Sequence, residues 1–342
     1  MNGASEREQD GVTRVYISVD TEFSIAGAFD DPQANRPVGP QAVYCNIEGR
    51  SAGLGHLLET LGRHGARATF FVETLNTHYF GDEPMGEIAR GLHRAGHDVQ
   101  LHLHPCWAYF ESADWAGRLR HEPPNDDICL RAQQEMERLI RSGIETFGRW
   151  ALPAPNALRT GGLRVSRRVY EAMRACGMTI ASNVGVGIYR PSEPELRLYA
   201  GRHRVGEVVE IPVTSYLDRG IPGRVRHKSL TVTGSSWPEV RSLLRQARAT
   251  GMRDIVILTH PFEFVKHRDI SYQRLYPNRI TRDRLERLCH FIANDPGFSF
   301  ACIGEAPAQA GVEDKNALLS VSPLHSLGRM MINRINDAIV WW

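Results

Sequence analysis

From Arg14 onward, short apolar runs rich in β-branched and aromatic residues alternate with longer segments whose apolar residues recur at helical spacing. A chain patterned this way is confined to βα units, because each strand leaves two faces to cover and each following helix supplies one apolar stripe. The runs are Arg14–Asp20, Arg67–Glu73, His97–His104, Gly148–Pro153, Met178–Asn183, Val208–Thr214, Asp254–His260 and Phe298–Ile303. Between them, Gly53–His64, Glu83–Ala95, Ile128–Ser142, Val165–Cys176, Pro238–Ala249 and Thr281–Ala293 read as helices, most of them ending near a glycine. The expectation is an α/β chain in which seven or eight parallel strands form a sheet or barrel.

Two stretches fit neither class. Ser24–Arg50, with Pro32, Pro37, Gly39 and Pro40, is too long for a plain connection. Pro105–Asp127 gathers Trp107, Tyr109, Phe110 and Trp115 directly after a histidine pair. Aromatic faces beside a polar site suit a sugar ring, which makes Trp107 and Tyr109 candidates for substrate binding, and packing of the loop on itself is the competing use. After Glu305 the alternation stops. The expected division is therefore a disordered N-terminus over 1–13, a barrel domain over 14–305, and a linker with an amphipathic helix over 306–342. Leu324, Leu327, Met330, Met331, Ile335 and Ile339 mark one face of that helix, ahead of Trp341 and Trp342. Docking on the main domain, a homo-oligomer contact and a membrane-surface anchor all remain open for it.

The 41 basic residues nearly balance 39 acidic ones, so the chain carries no long-range field of the kind that attracts nucleic acid. Six scattered cysteines form no CxxC pair and read as reduced thiols. The polar opening MNGASEREQDG precedes no apolar run, so neither a signal peptide nor a transmembrane helix is expected and the expected location is the cytoplasm.

Chemistry gathers at the ends of the strands. Asp20 and Glu22 sit two apart where the first run gives way to loop, and period-two geometry aims both to one side. Such a pair can hold a hard cation, or divide into a ligand and a general base. In the third run, His102 and His104 share the face opposite Val99, Leu101 and Leu103, and two imidazoles about 7 Å apart along a strand can converge on one divalent ion. His97 has the wrong parity. His260 ends the nearly all-apolar run Ile255–Thr259. All five residues thus fall at carboxyl ends of candidate strands, the catalytic side of α/β barrels. No complete dinucleotide loop, GxxxxGK or GxSxG motif occurs, so redox and serine chemistry lose support.

Five segments, in order, resemble the motifs of the polysaccharide deacetylase family, also called the NodB-homology or chitooligosaccharide deacetylase family: Ser18–Glu22, Ala68–Val72, Gly96–Pro105, Arg159–Gly162 and Leu258–His260. The resemblance runs from about Arg14 to Glu305. It implies a distorted (β/α) barrel of about seven strands and a hydrolase that uses one divalent metal ion, zinc or a similar ion, to remove an acetyl or formyl group from an amino sugar or related small amide. On the same resemblance Asp20 is the general base, Glu22, His102 and His104 the metal ligands, Arg159 the partner that orients Asp20, and His260 the general acid.

The chain departs from the family pattern in three places. The second carboxylate is Glu22 rather than an adjacent aspartate, which leaves the division of base and ligand within the pair open. The histidines are two apart rather than four. Ala181 stands where many members carry an aspartate that tunes the acid histidine, so His260 needs another partner, such as Glu263. Two other functions stay in play: a non-catalytic carbohydrate-binding or scaffold protein on the same barrel, and an HxH metal amidohydrolase, although in that class the pair lies on the first strand rather than the third.

Overall fold

A computed structural model of the chain describes residues 11–221, 224–306 and 316–338. Seven strands run parallel: β1 (Thr13–Thr21), β2 (Thr69–Glu73), β3 (Asp98–Leu103), β4 (Ala157–Thr160), β5 (Ile180–Ala181), β6 (Val208–Glu210) and β7 (Asp254–Thr259). β7 pairs with β1, and the order then follows the chain to β6. His203–Val205 adds an antiparallel edge to β6, and Phe298–Phe300 pairs with the start of β1. The ends of this curled sheet meet without a full strand pair. Thr214 N donates to Val256 O at 3.1 Å, Leu230 N to Thr214 O at 2.7 Å and Val232 N to Leu258 O at 3.0 Å. The result is the distorted (β/α) barrel with about seven strands that the motifs imply.

Strand parity sorts the side chains into two cores. Val15, Ile17, Val19, Phe70, Val72, Leu101 and Leu103 face outward onto the helices. Tyr16, Phe71, Ala157, Ile180, Val209 and Val256 fill the barrel, with Ile303 plugging it. The outer layer is α1 (Leu54–Arg63), α2 (Glu83–Arg94), α3 (Gln133–Arg149), α4 (Arg167–Ala175), α5 (Trp237–Ala249) and α6 (Arg279–Asn294), each laying an apolar stripe on the sheet. At the amino ends of the strands, Asp254 collects Arg14, Tyr16 and Arg202 into a closed polar cluster. The carboxyl ends stay open and bear the loops.

The expected strand Gly148–Pro153 is corrected. α3 runs through that segment to Arg149, with Phe147 and Trp150 buried against the body, and the strand is Ala157–Thr160. Its sequence, Ala-Leu-Arg-Thr, is four residues long and carries a charge, so it lacks the apolar signature of a buried strand. Arg159 is tolerated there because each of its guanidinium nitrogens has an acceptor. The helix expected over Ile128–Ser142 is a short turn, Ile128–Leu130, followed by α3.

The long Ser24–Arg50 segment folds on itself, with a bridge from Ser24 to Val38, a helix over Pro40–Tyr44 and a small hairpin pairing Asn46–Ile47 with Arg50–Ser51. The tail is tied to the body. Leu319–Ser320 pairs in parallel with Tyr216–Leu217, and α7 (Pro323–Ala338) follows. α7 docks by its polar side: Ser326, Arg329 and Asn336 are buried, whereas Leu324, Leu327, Met331 and Ile335 face outward. Arg329 reaches Glu239 at 2.9 Å and also grips Asp218. Residues 1–10, Ile339, Trp341, Trp342 and most of the 306–315 linker lie outside the described residues, as does most of the expected N-terminal disorder. No described helix is long and apolar enough to cross a membrane.

Candidate active site at the carboxyl ends of the strands

Even-numbered positions of β1 and β3 point into the barrel, so Asp20 and Glu22 turn the same way, and His102 and His104 follow Gln100 inward. Register then sets their heights: Asp20 lies opposite Phe71 on β2, Glu73 opposite His102, and His102 opposite Arg159 on β4. Glu22, His102 and His104 meet. A carboxylate oxygen of Glu22 lies 2.7 Å from His104 Nε2 and 3.4 Å from His102 Nε2.

The outer nitrogen of each ring is already committed. His102 Nδ1 donates to the Arg159 carbonyl at 2.9 Å, which turns Nε2 toward Glu22. His104 Nδ1 meets Asp126 at 2.6 Å, and the other oxygen of Asp126 accepts from Cys106 N at 3.1 Å. This is the arrangement that orients imidazoles on a metal, each ring fixed from behind by an oxygen acceptor. One carboxylate oxygen and two imidazole nitrogens within 4.8 Å of one another fit a divalent ion of the zinc type.

The charges agree with that fit. Burial works against an ionised Glu22, but His104 and His102 outweigh it and hold the carboxyl well below its ordinary range. Burial likewise opposes a charged His104, and Glu22 and Asp126 lift it well above the usual imidazole value. The pair is thus a carboxylate and imidazolium that a cation can replace by displacing the proton. Below it, Glu73 is fully buried; burial pushes its carboxyl up to about 7, while its oxygens accept from Leu75 N at 2.7 Å and from His104 N. Glu73 therefore fixes the backbone at the point where His104 leaves the strand.

Gly161 explains the start of the Arg159–Gly162 segment. A Cβ there would stand 2.4 Å from His104 Nδ1, so only glycine leaves room for the ring. The next residue, Gly162, has φ +58°, the left-handed region that glycine enters at little cost.

Beside the His–Glu cluster lies a second constellation. Asp20 accepts from Arg159 Nη1 at 2.8 Å, and the guanidinium is completely buried, donating also to Ser18 Oγ, Ser182 Oγ and the Ser182 carbonyl. Its face rests on the Phe71 ring at 4.3 Å. His260 Nε2 lies 3.8 Å from the other Asp20 oxygen, and His260 Nδ1 meets Glu263 at 3.1 Å. Burial alone would lower the His260 pKa; the hydrogen bond and charge of Glu263, with Asp20 adding, overcome it and raise the imidazole to about 9. Glu263 is thus the carboxylate beside the outer nitrogen of His260, and Ala181 packs in the outer core.

A cavity of about 270 Å³ opens over Glu22 and His104. Glu22, Ser24, His104 and Asp126 supply its polar wall, and Phe23, Ile25, Trp107, Phe262 and Tyr272 its apolar wall. Both long loops therefore contribute. Trp107 lines the cavity from a buried position, whereas Tyr109 lies outside it, packed edge-on against Phe29 with its hydroxyl on the Glu122 carbonyl at 2.6 Å. Much of the aromatic loop is self-packed: Phe110 touches Phe29, Tyr79, Trp107 and Trp115. Asp126, Glu73 and Ser182 carry no signal in the sequence that marks them as site residues. Asp126 sits at the end of a loop among other polar residues, and only its contact with His104 distinguishes it from Asp127.

No family model matches the sequence, and no curated protein matches it. Solved structures do. A protein from Mycobacterium smegmatis named as a polysaccharide deacetylase superposes with a TM-score of 0.54, covering 86% of this chain and 89% of its own at 16% identity. The fold is that of a polysaccharide deacetylase. A 4-alpha-glucanotransferase from Thermococcus litoralis gives 0.51 over 91% of this chain and 42% of its own, at 8% identity. A family 4 carbohydrate esterase from Streptomyces lividans gives 0.44 at 12% identity, with 90% and 98% covered. The glucanotransferase, named for a different reaction, shares this fold over part of its length, so function has to be argued from the side chains.

Proposed function

We propose that the chain is a metal-dependent hydrolase that removes an N-acyl group, acetyl or formyl, from an amino sugar or related small amide, and that it belongs with the polysaccharide deacetylases. One observation carries this reading: a three-donor set suited to a divalent ion (Glu22, His102, His104) stands at the carboxyl ends of the same parallel sheet as an Asp20–Arg159 pair and a His260–Glu263 pair. A purely structural cluster has no need of an acid and a base held separately beside a ligand set.

A divalent ion held there, zinc in this reading, supplies a Lewis acid that brings the pKa of water toward about 7 and polarises a carbonyl oxygen. The remaining work falls to the chain. Asp20, immobilised by Arg159, takes the proton of the attacking water as the water oxygen bonds to the acyl carbon. His260, held protonated below about 9, gives its Nε2 proton to the amine nitrogen as the carbon–nitrogen bond breaks. Glu263 keeps the imidazole turned so that Nε2 faces Asp20. Asp126 and Glu73 hold His104, and the Arg159 carbonyl holds His102.

The narrow cavity supports a small substrate: about 270 Å³ takes an acyl group and one sugar ring rather than a run of polymer. Six free cysteines support a reducing compartment, and the cytoplasm is the location we propose. The test is release of acetate and formate from a panel of N-acylated amino sugars by zinc-loaded protein, with Asp20→Asn as control. Turnover that Asp20→Asn abolishes while metal content stays the same supports the assignment. A protein that binds stoichiometric metal and releases neither acid from any member would fit the non-catalytic carbohydrate-binding reading instead.

A further inference from the structure

The strand Arg224–Ser229 carries Arg224, Arg226, His227 and Lys228 within five positions, in antiparallel register with Ser215–Ile221. Clustering of like charge on a short strand is unfavourable without compensation, and the natural partner across the ladder is Asp218, opposite Arg226. Asp218 is committed elsewhere. One of its oxygens binds Arg329 of α7 and the other accepts from Gly220 N at 3.1 Å. Among the described residues, Arg224, Arg226 and Lys228 have neither a salt bridge nor a hydrogen-bond acceptor.

These cations surround a cavity of about 330 Å³, closed by Gly187 on one side and on the other by Gly220, Met330 and the paired Arg329 and Asp218. Lys228 projects into it half-buried, and burial followed by the charge of Arg329 draws its ammonium pKa down. His227 is held as a wall by stacking on Tyr199, with ring centroids 5.1 Å apart. The cavity is separate from the His–Glu cluster but lies around the same barrel end. Gly161 packs on His104, Gly185 on Leu163 and Ser229, and Gly187 N donates to Ser229 Oγ at 3.2 Å.

We propose that this cavity is a binding site for a phosphate group, a monoester or diphosphate, gripped by Arg224, Arg226 and Lys228. Three unpaired cations around a space of this size match a compact group with two or more negative charges and several acceptor oxygens. A single carboxylate would leave most of that charge unanswered. A nucleic-acid strand would need a basic surface extending beyond the cavity, and the chain's near-zero net charge offers no wider field. The phosphate can belong to a sugar substrate whose N-acyl group reaches the Glu22–His102–His104 site, or to a separate small molecule. The site itself does not depend on the deacetylase reading.

Calorimetric titration of the zinc-loaded full-length protein with inorganic pyrophosphate tests it. The expected result is saturable binding that weakens about tenfold or more in Lys228→Ala and in Arg226→Ala and is largely restored in Lys228→Arg. Arg226 is exposed, so its replacement leaves folding intact. Pyrophosphate bound at the metal site would be unaffected by either alanine variant. Unchanged binding in both, or no saturable binding below about 10 mM, overturns the proposal. Kinetics then separate the sources. A rise in KM on Lys228→Ala that is confined to phosphorylated amino sugars assigns the phosphate to the substrate. A change in turnover of a neutral sugar on adding pyrophosphate, abolished by Lys228→Ala, assigns it to a separate ligand. Should no N-acylated sugar be hydrolysed, the calorimetry still decides for or against the phosphate site.

Discussion

Replacing Gly161 with alanine presses directly on the metal set without touching a ligand. The added Cβ would lie 2.4 Å from His104 Nδ1, 2.5 Å from Cε1 and 2.7 Å from Cγ. Ordinary contact needs about 3.5 Å, so ring or backbone must move by about 1 Å. The ring cannot slide freely, because Asp126 holds one nitrogen at 2.6 Å and Glu22 faces the other at 2.7 Å. A shift of that size breaks one of the two, and loss of an orienting partner typically costs about 10–100-fold in metal affinity. Overpacking adds about 1–3 kcal/mol of destabilisation. Gly162→Ala is the matched control. It forces a side chain onto φ +58° at a cost of about 1–2 kcal/mol but meets nothing nearer than Arg164 Cγ at 3.7 Å. Zinc affinity by competition with a chromophoric chelator, alongside thermal denaturation, separates the two effects. Both variants are expected to melt earlier, and only Gly161→Ala to lose zinc affinity. Wild-type affinity in Gly161→Ala would refute the geometry drawn for His104.

The raised His260 pKa keeps that imidazole protonated up to about 9, so kcat is expected to hold through neutral pH and fall above about 9; in Glu263→Gln, burial is left with less opposition and the fall begins at least a unit lower, as a pH–rate profile will show. Glu210 is fully buried, and burial lifts its carboxyl to about 7 despite hydrogen bonds from Val184 N, Tyr170 and Asn183 N. Its folded pKa thus lies above the unfolded one near 4.5, so the stability it contributes at low pH is lost between about 4.5 and 7, by about 3 kcal/mol. Glu210→Gln can keep the two backbone bonds at Oε1 and donate to the Tyr170 oxygen in place of accepting from it, and is expected to flatten that loss in urea denaturation at stepped pH. Arg329→Ala leaves the buried Glu239 carboxylate without its partner and is expected to cost about 3 kcal/mol in the same assay, whereas loss below about 0.5 kcal/mol would mean that α7 is only loosely attached.

Much of the candidate site is legible in sequence because strand periodicity does the sorting. Asp20 with Glu22 and His102 with His104 each share a parity, and a strand end next to a loop is where such residues leave the core without losing alignment. Arg159 is legible only through the Arg159–Gly162 resemblance, since the apolar pattern places its strand some residues earlier. A four-residue strand with a buried charge gives no periodic signal, and what stabilises it is the pairing with Asp20 across the barrel. Asp126 and Glu73 were illegible for a related reason. Their roles are defined by contacts to His104 from a loop and a neighbouring strand, neither of which sequence spacing encodes. The terminal helix shows the limit of amphipathic pattern: its apolar residues mark a face correctly, yet the buried side is set by Arg329, whose two carboxylate partners lie on other elements.

The central claim is that Glu22, His102 and His104 hold one divalent ion beside Asp20 and His260. Anomalous diffraction at the zinc edge from crystals of the zinc-loaded protein addresses it most directly. The predicted result is a single strong peak about 2.0–2.2 Å from one Glu22 carboxylate oxygen, His102 Nε2 and His104 Nε2. A peak instead among His104, Cys106 and Asp126, the other described group of donors close enough to share an ion, would contradict it, as would no peak at all.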